Sequence, residues 1–286
     1  MGSPRRHRRR GLVGDRRGDL AQRRHEPLVI EVAIIAGISD SERLLGFYEQ
    51  AYAKAPADAA LYARWRALSA IGKADHVIAL CDRARMRPAS TLEVGCGDGA
   101  LLCELHQRGF GGRLSGVEIS EAAVAIARGR DGLEAVELYD GENLPFGRRE
   151  YGLGILSHVL EHVPAPTALL AEVARVCRAV LVEVPLEANL SARRAGKREQ
   201  SAELGHLQGM DRAATRRIVE DAGLYLVVEL QDPLELEVHR FFAKTPLERT
   251  AATMKWAVRA GVDRVAPPLA RRLFTVHYAA LCLPVE

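Results

Sequence analysis

Apolar and polar positions follow two rhythms along the chain. Up to about residue 87 the rhythm is helical. Leu44, Leu45, Tyr48 and Tyr52 recur at three- and four-residue spacing, as do Leu61, Trp65, Leu68, Ile71, Val77 and Leu80. Ser39-Asp40-Ser41 and Asp58 can cap two helices, one reaching Lys54 and one over 59–85, with Pro56 breaking the chain between them. From Ser90 onward, short apolar runs alternate with helical stretches. The runs at 90–95, 113–118, 133–140, 153–157, 180–184, 224–230 and 274–283 read as seven strands. Helical patterns separate them: one ending near Arg108, one from a Ser120 cap to Arg128, one over 164–176, one from an Asp211 cap to Ala222, and one over 245–272 interrupted at Pro267-Pro268. This alternation implies right-handed crossovers and a largely parallel sheet covered on both faces, a doubly wound, Rossmann-like α/β fold. Residues 186–209 break the rhythm. Arg193, Arg194, Lys197 and Arg198 crowd a polar stretch that ends in Gly205-His206-Leu207, where a strand's C-terminal end would carry a lid beside a ligand crevice. The expected organisation is therefore a basic tail at 1–27 without fixed structure, a helical cap at 28–87, and an α/β domain at 88–286 with its lid at 186–209.

Composition narrows the class. The chain has 286 residues, 48% of them hydrophobic, enough for a substantial core. The net charge of +3 is unevenly spread: nine arginines against Asp15, Asp19 and Glu26 put +6 on residues 1–27, which leaves −3 on the rest. A mildly acidic body argues against a nucleic-acid partner. The longest apolar stretch in the N-terminal region, 28–38, is too short for a membrane span and carries Glu31. No uninterrupted apolar segment follows the arginines as a secretory signal requires. Cys81, Cys96, Cys103, Cys177 and Cys282 are odd in number and lack a C-x-x-C spacing, so they read as reduced, mostly buried thiols of a cytoplasmic protein.

The chemistry concentrates at 91–102, Thr-Leu-Glu-Val-Gly-Cys-Gly-Asp-Gly-Ala-Leu-Leu. An apolar strand ends in glycines at alternate positions, and a helix starts inside the turn. Glycine lets the backbone turn sharply and lets a ligand approach without a Cβ in the way, while the helix start presents free N–H groups. Gly95, Gly97 and Ala100 satisfy the dinucleotide fingerprint, which would suit a nicotinamide-dependent oxidoreductase. Glu93 and Gly99 extend the pattern to E-x-G-x-G-x-G, and D-G-E-N-L-P-F at 140–146 and S-H-V-L-E-H-V at 157–163 follow it. With these blocks in this order, residues 88–230 resemble the class I S-adenosylmethionine-dependent methyltransferases, in particular the small-molecule group with an L-P-F and an E-H-V block.

The resemblance implies a seven-stranded sheet whose last strand lies antiparallel beside strand five, S-adenosylmethionine as cofactor, and a small-molecule acceptor with an oxygen or nitrogen nucleophile. It assigns the turn of Glu93, Gly95, Cys96, Gly97 and Gly99 to the cofactor's amino-acid end. Glu118, with Ile119 beside it, ends strand two at the distance where an acid reaches a ribose diol. Asp140, with Gly141 and Glu142, ends strand three where the family recognises the adenine, and Ser157 closes strand four. Tyr151-Gly152 stands where the family usually carries Asp at the start of strand four, a local change at the end of the strand far from the cofactor.

Two histidines are candidate catalytic groups, His158 at the end of strand four as a base for the acceptor's proton and His206 in the lid as the weaker alternative. His162, within the family's E-H-V block, reads as a capping or backbone-bonding residue. His158-Val159-Leu160-Glu161-His162 also spells the H-x-x-E-H of inverted zinc peptidases. That reading needs one continuous helix, and a strand pattern runs directly into Ser157, so no metal ligand is assigned. A non-catalytic cofactor-binding protein is the remaining alternative. The sequence leaves the oligomeric state open.

Overall fold

The computed structural model describes residues 40–52, 56–194, 196, 197, 199 and 205–285. The expected basic tail, the apolar stretch at 28–38 and the centre of the lid lie outside the described residues. Helix α1 (Asp40–Tyr52) and helix α2 (Pro56–Arg83) precede the sheet. Pro56 opens α2 instead of preceding a cap at Asp58, because a first-turn proline loses no hydrogen bond and its fixed φ suits the helix.

The domain then follows the expected alternation: β1 (Ser90–Val94), α3 (Ala100–Gln107), β2 (Arg113–Glu118), α4 (Glu121–Arg128), β3 (Ala135–Leu138), β4 (Leu153–Ser157), α5 (Pro166–Val176), β5 (Val180–Pro185), α6 (Arg212–Asp221) and β6 (Leu224–Asp232). The chain closes with α7 (Leu236–Arg240), α8 (Pro246–Val265), α9 (Pro267–Leu273) and β7 (His277–Pro284). The long C-terminal helix is thus two helices, as Pro267-Pro268 requires, and the short α7 before it was not foreseen. Thr245 caps α8 in a reciprocal box with Glu248. Strand β3 is shorter than expected, although Glu134 N and Tyr139 N on its flanks still donate to the β2 carbonyls of Leu114 and Glu118 at 2.7 and 3.1 Å.

The sheet order is β3-β2-β1-β4-β5-β7-β6. β1 pairs in parallel with β2 and β4, and β4 with β5. β7 runs antiparallel between β5 and β6, as the resemblance implied. The central strands β1, β4 and β5 are buried along their whole length, with Glu93 and Glu183 among their buried positions. Side chains alternate between two cores. Leu153, Ile155 and Leu181 face α2, α3 and α4 through Val77, Leu80, Leu102 and Val124. Leu156, Val180 and Val182 face α5, α6 and α9 through Leu170, Val173, Val219 and Ala270. Full burial of each such side chain contributes roughly 1.5–3 kcal/mol.

The Tyr151-Gly152 departure sits at the far end of β4 from the glycine turn. Tyr151 packs edge-on against Phe146, and the Gly152 N–H donates to Ser90 Oγ at 3.0 Å. The five cysteines are free thiols, all buried except the half-buried Cys103. No described helix is long and apolar enough to cross a membrane.

Candidate functional site

The carboxyl ends of β1, β2 and β4 converge on one crevice. At its floor the chain leaves β1 with Gly95, Gly97 and Gly99 at φ of 73°, 54° and 74°, and Gly99 caps α3 in the left-handed conformation. A Cβ on Gly95 would lie 2.7 Å from Val159 Cγ2, and one on Gly97 would run into the Tyr52 hydroxyl. Cys96 points away from the crevice and packs against Gly116 of β2.

Glu118 closes the turn. Its carboxylate accepts from the N–H groups of Gly97 at 2.8 Å, Ile119 at 2.8 Å and Ser120 at 3.1 Å. Burial raises its pKa while those three donors pull it back. Oε1 takes two of these donors, whereas Oε2 takes Gly97 alone and keeps a second lone pair for a hydroxyl donor. Glu93, inside β1, is 4% exposed, and its Oε2 has no hydrogen-bond partner. Burial pushes its carboxyl up to about 8, against the opposing cation of Lys73. Asp140 is exposed and accepts from Glu142 N, Asn143 N and Asn143 Nδ2, with Gly141 in the left-handed region between. These bonds, led by Asn143, hold its carboxyl below the usual range. Asp140, expected to recognise the adenine, therefore lies just past the end of β3 but is turned onto its own loop. Ser157 is turned away too: its Oγ donates to Glu183 Oε2 at 2.7 Å.

Five residues around the turn escaped the sequence reading. Tyr48 and Tyr52, taken as part of an apolar helical side, bring their rings over the crevice from α1. Arg66 of α2 stacks over Tyr52 at 4.8 Å and pairs with the buried Asp98 at 2.9 Å, which Arg130 also meets at 2.9 Å. An arginine within an otherwise apolar helical side was the available signal.

The other end of the crevice is lined by histidines and carboxylates. His158 holds a left-handed φ of 60°. Its Nε2 lies 2.9 Å from His277 Nδ1 and its Nδ1 3.1 Å from Glu161 Oε1. Burial drives its pKa down to about 3. Behind it, Glu183 of β5 bonds His76 Nδ1 of α2 at 2.8 Å. His76 is pushed the other way. Burial opposes its charge, but the Asp232 and Glu183 carboxylates outweigh that and raise it to about 9.

Residues 158–163 form a bend and turn, not a helix, so the zinc-peptidase reading of H-x-x-E-H fails on backbone geometry. The lid docks on this turn. Leu207 N donates to Glu161 O at 2.9 Å, and Gln208 Nε2 reaches the carbonyls of Leu160 and Val163 at 3.1 and 3.2 Å. His162 Nδ1 donates to Gly205 O at 3.1 Å, which agrees with its expected backbone-bonding role. His206 Nδ1 meets Glu187 Oε2 at 2.7 Å. Burial lowers His162 to about 4, whereas Glu187 outweighs burial and raises His206. The two predicted histidines thus share one end of the crevice. Two groups there bring ligand atoms within 4.8 Å of one another, His158 with Glu183 and His277, and Glu161 with His162 and His206.

A family profile described as "Methyltransferase domain" matches residues 62–229. No curated protein matches the chain by sequence. Among solved structures, the geranyl diphosphate C-methyltransferase of Streptomyces coelicolor A3(2), in complex with Mg2+, geranyl diphosphate and S-adenosyl-L-homocysteine, is 16% identical with a TM-score of 0.54, over 75% of this chain and 80% of that one. A putative methyltransferase in complex with the Haloferax volcanii Trm112 activator is 19% identical with a TM-score of 0.50, over 78% and 98%. The phosphoethanolamine N-methyltransferase 2 of Haemonchus contortus, with phosphomonomethylethanolamine and S-adenosylhomocysteine, is 13% identical with a TM-score of 0.51, over 73% and 52%. At these identities the likeness is one of fold, and the profile match over more than half of the sequence sets the family. The chain belongs to the methyltransferase domain family, on the class I seven-stranded fold.

Proposed function

We propose that the protein transfers the methyl group of S-adenosylmethionine to an oxygen or nitrogen nucleophile of a small molecule. The observation that carries this reading is the glycine turn. A Cβ on Gly95 or Gly97 would collide, the turn begins a helix, and it is strapped to an acid at the end of the next strand. The solved neighbours support it, since their ligands include S-adenosylhomocysteine and small acceptors. The bound cofactor supplies a methyl group on a positively charged sulfur, open to in-line attack.

The chain's own residues would then divide the work. Gly95, Gly97 and Gly99 make room for the amino-acid end at the start of α3. Arg66, beside the turn, offers a cation to its carboxylate, and Glu93, with an oxygen unpartnered, offers an acceptor to its ammonium. Glu118 takes a ribose hydroxyl with the lone pair left on Oε2. Asp140 would have to release its own loop to reach the adenine. Tyr48 and Tyr52 cover the crevice and exclude water, so that positioning the acceptor against the methyl supplies much of the rate.

His158 enters this reading as an orienting group and not as the base. A ring held at about 3 is neutral at ordinary pH and accepts a proton poorly. His206, with Glu187 behind it, is the more basic group facing the acceptor. The test is a screen of metabolite pools with donor labelled in the methyl group, followed by NMR of the labelled product. Label on oxygen or nitrogen is expected, and His158→Ala should raise the acceptor KM more than it lowers kcat. Label on carbon would overturn the choice of nucleophile, and no incorporation with donor bound would overturn catalysis.

A further inference from the structure

Glu161 is fully buried, and neither of its carboxylate oxygens has a hydrogen-bond partner. His158 Nδ1 comes within 3.1 Å of Oε1, but off the axis of a hydrogen bond. An ionised carboxylate left this way costs several kcal/mol unless a cation meets it.

What surrounds it is a set of donors already aimed. His162 spends Nδ1 on Gly205 O at 3.1 Å, which fixes the tautomer with a lone pair on Nε2, and Nε2 is 4.0 Å from Glu161 Oε1. His206 Nδ1 meets the Glu187 carboxylate at 2.7 Å, which holds that ring in place. The two rings meet edge to face with centroids 4.7 Å apart. Imidazoles whose outer nitrogen is held by a carboxylate or a carbonyl are the arrangement that orients metal-binding histidines. One ligand atom from each of Glu161, His162 and His206 lies within 4.8 Å of the other two. Ligands of a tetrahedral ion at about 2.1 Å stand roughly 3.3 Å apart, so side-chain shifts of about 1 Å would close the set.

The neighbouring group of His158, Glu183 and His277 differs in this respect. Both Glu183 oxygens are taken, by His76 and Ser157, and the two histidines bond each other at 2.9 Å. It is a closed hydrogen-bond network.

We infer that Glu161, His162 and His206 form a binding site for one divalent transition-metal ion, with Glu187 and the Gly205 carbonyl holding the two imidazoles in place. Two nitrogens and one carboxylate suit Zn2+, Co2+, Mn2+ or Fe2+ and disfavour Mg2+, which demands oxygen ligands. Three protein ligands leave at least one coordination position for water or for an oxygen of the acceptor. That last role rests on the methyl-transfer reading, whereas the site itself does not. The placement also explains why two elements far apart in sequence, the turn after β4 and the end of the lid, are bound together by backbone hydrogen bonds: each contributes ligands to the same ion.

The test is calorimetric titration of chelator-stripped full-length protein with Zn2+, Co2+ and Mg2+, with S-adenosylhomocysteine affinity measured in parallel. One equivalent of Zn2+ should bind, Co2+ should give a visible ligand-field spectrum, and millimolar Mg2+ should not compete. Glu161→Gln and His206→Ala should each weaken Zn2+ by about 100-fold or more, and Glu187→Gln by about 10–100-fold. Glu161→Gln should keep the metal-free thermal midpoint of the wild type or exceed it, because it removes an unpaired buried charge, and should lose the rise in midpoint that Zn2+ gives the wild type. S-adenosylhomocysteine affinity should stay within a few-fold in all three variants. Absence of stoichiometric Zn2+ binding, or Zn2+ binding unchanged in Glu161→Gln and Glu187→Gln, would overturn the site. Zn2+ binding without any cofactor binding would instead overturn the methyl-transfer reading and leave the metal site standing.

Discussion

His76 and Glu183 show how much of this site is decided by single residues that carry no motif. His76 is one of a few polar positions on the inner face of its helix, and Glu183 is one acid in a strand buried at every position. They meet at 2.8 Å with Asp232 3.8 Å from the other ring nitrogen. Lys73 adds positive potential to the same cluster. Burial opposes both charges, yet the pairing raises His76 to about 9 and holds Glu183 well below the usual carboxylate range. The consequence for stability has a definite sign. A histidine whose folded pKa exceeds its unfolded value of about 6.5 stabilises fully below that value, and the contribution is lost as pH rises through the folded pKa. His76→Gln should therefore cost most at pH 6, by no more than about 3 kcal/mol, and the difference from wild type should shrink as pH rises past 9. Urea midpoints at several pH values measure it. A cost that does not change between pH 6 and pH 10 would mean that His76 is neutral in the folded protein.

Helix α1 is the element through which the cap acts on the site. The sequence showed a helix and its apolar spacing, and both hold. It did not show which way the helix faces, because Tyr48 and Tyr52 serve equally well as core residues or as a cover. Three contacts decide it. Arg66 stacks on Tyr52, Tyr48 meets the His162 ring edge-on at 5.8 Å, and Glu49 accepts the Glu121 N–H at the start of α4. A helix of this length is marginal on its own, so it stays in place only through such contacts. Replacing both tyrosines with alanine should raise the dissociation constant of S-adenosylhomocysteine about tenfold, while the ligand-free thermal midpoint moves little. Hydrogen exchange over residues 40–52 should slow when the ligand binds. Equal exchange with and without ligand would separate α1 from the cofactor site.

At the scale of the whole molecule, the sheet was legible because short, mostly apolar runs alternate with helical patterns, two of which carry their own start signal, Ser120 after β2 and Asp211 before α6. The antiparallel β7 came from the resemblance, since its side chains alone do not reveal direction. The proposed cofactor end of the crevice was legible for a related reason: Glu93, the three glycines and Glu118 all lie at strand ends within one repeating unit. The proposed acceptor end was not. It is assembled from α2, the turn after β4, the lid and β7, which the chain brings together only by folding, so His76, Glu161, Glu187 and His277 carried no common signal in the sequence. H-x-x-E-H was visible there, but its zinc-peptidase reading presumed a helix that the turn at 158–163 excludes.

The central claim is that the glycine turn is where the methyl donor binds, and calorimetry with S-adenosylhomocysteine tests it most directly. Wild-type protein should bind one equivalent with a dissociation constant in the micromolar range, about 7–8 kcal/mol. Gly97→Val should abolish that binding, because a branched side chain at φ of 54° is strained and fills the space beneath the Tyr52 hydroxyl. Its cooperative thermal unfolding should persist, which separates loss of the site from loss of the fold. No binding to the wild type at millimolar ligand, or normal binding to a folded Gly97→Val variant, would contradict the account.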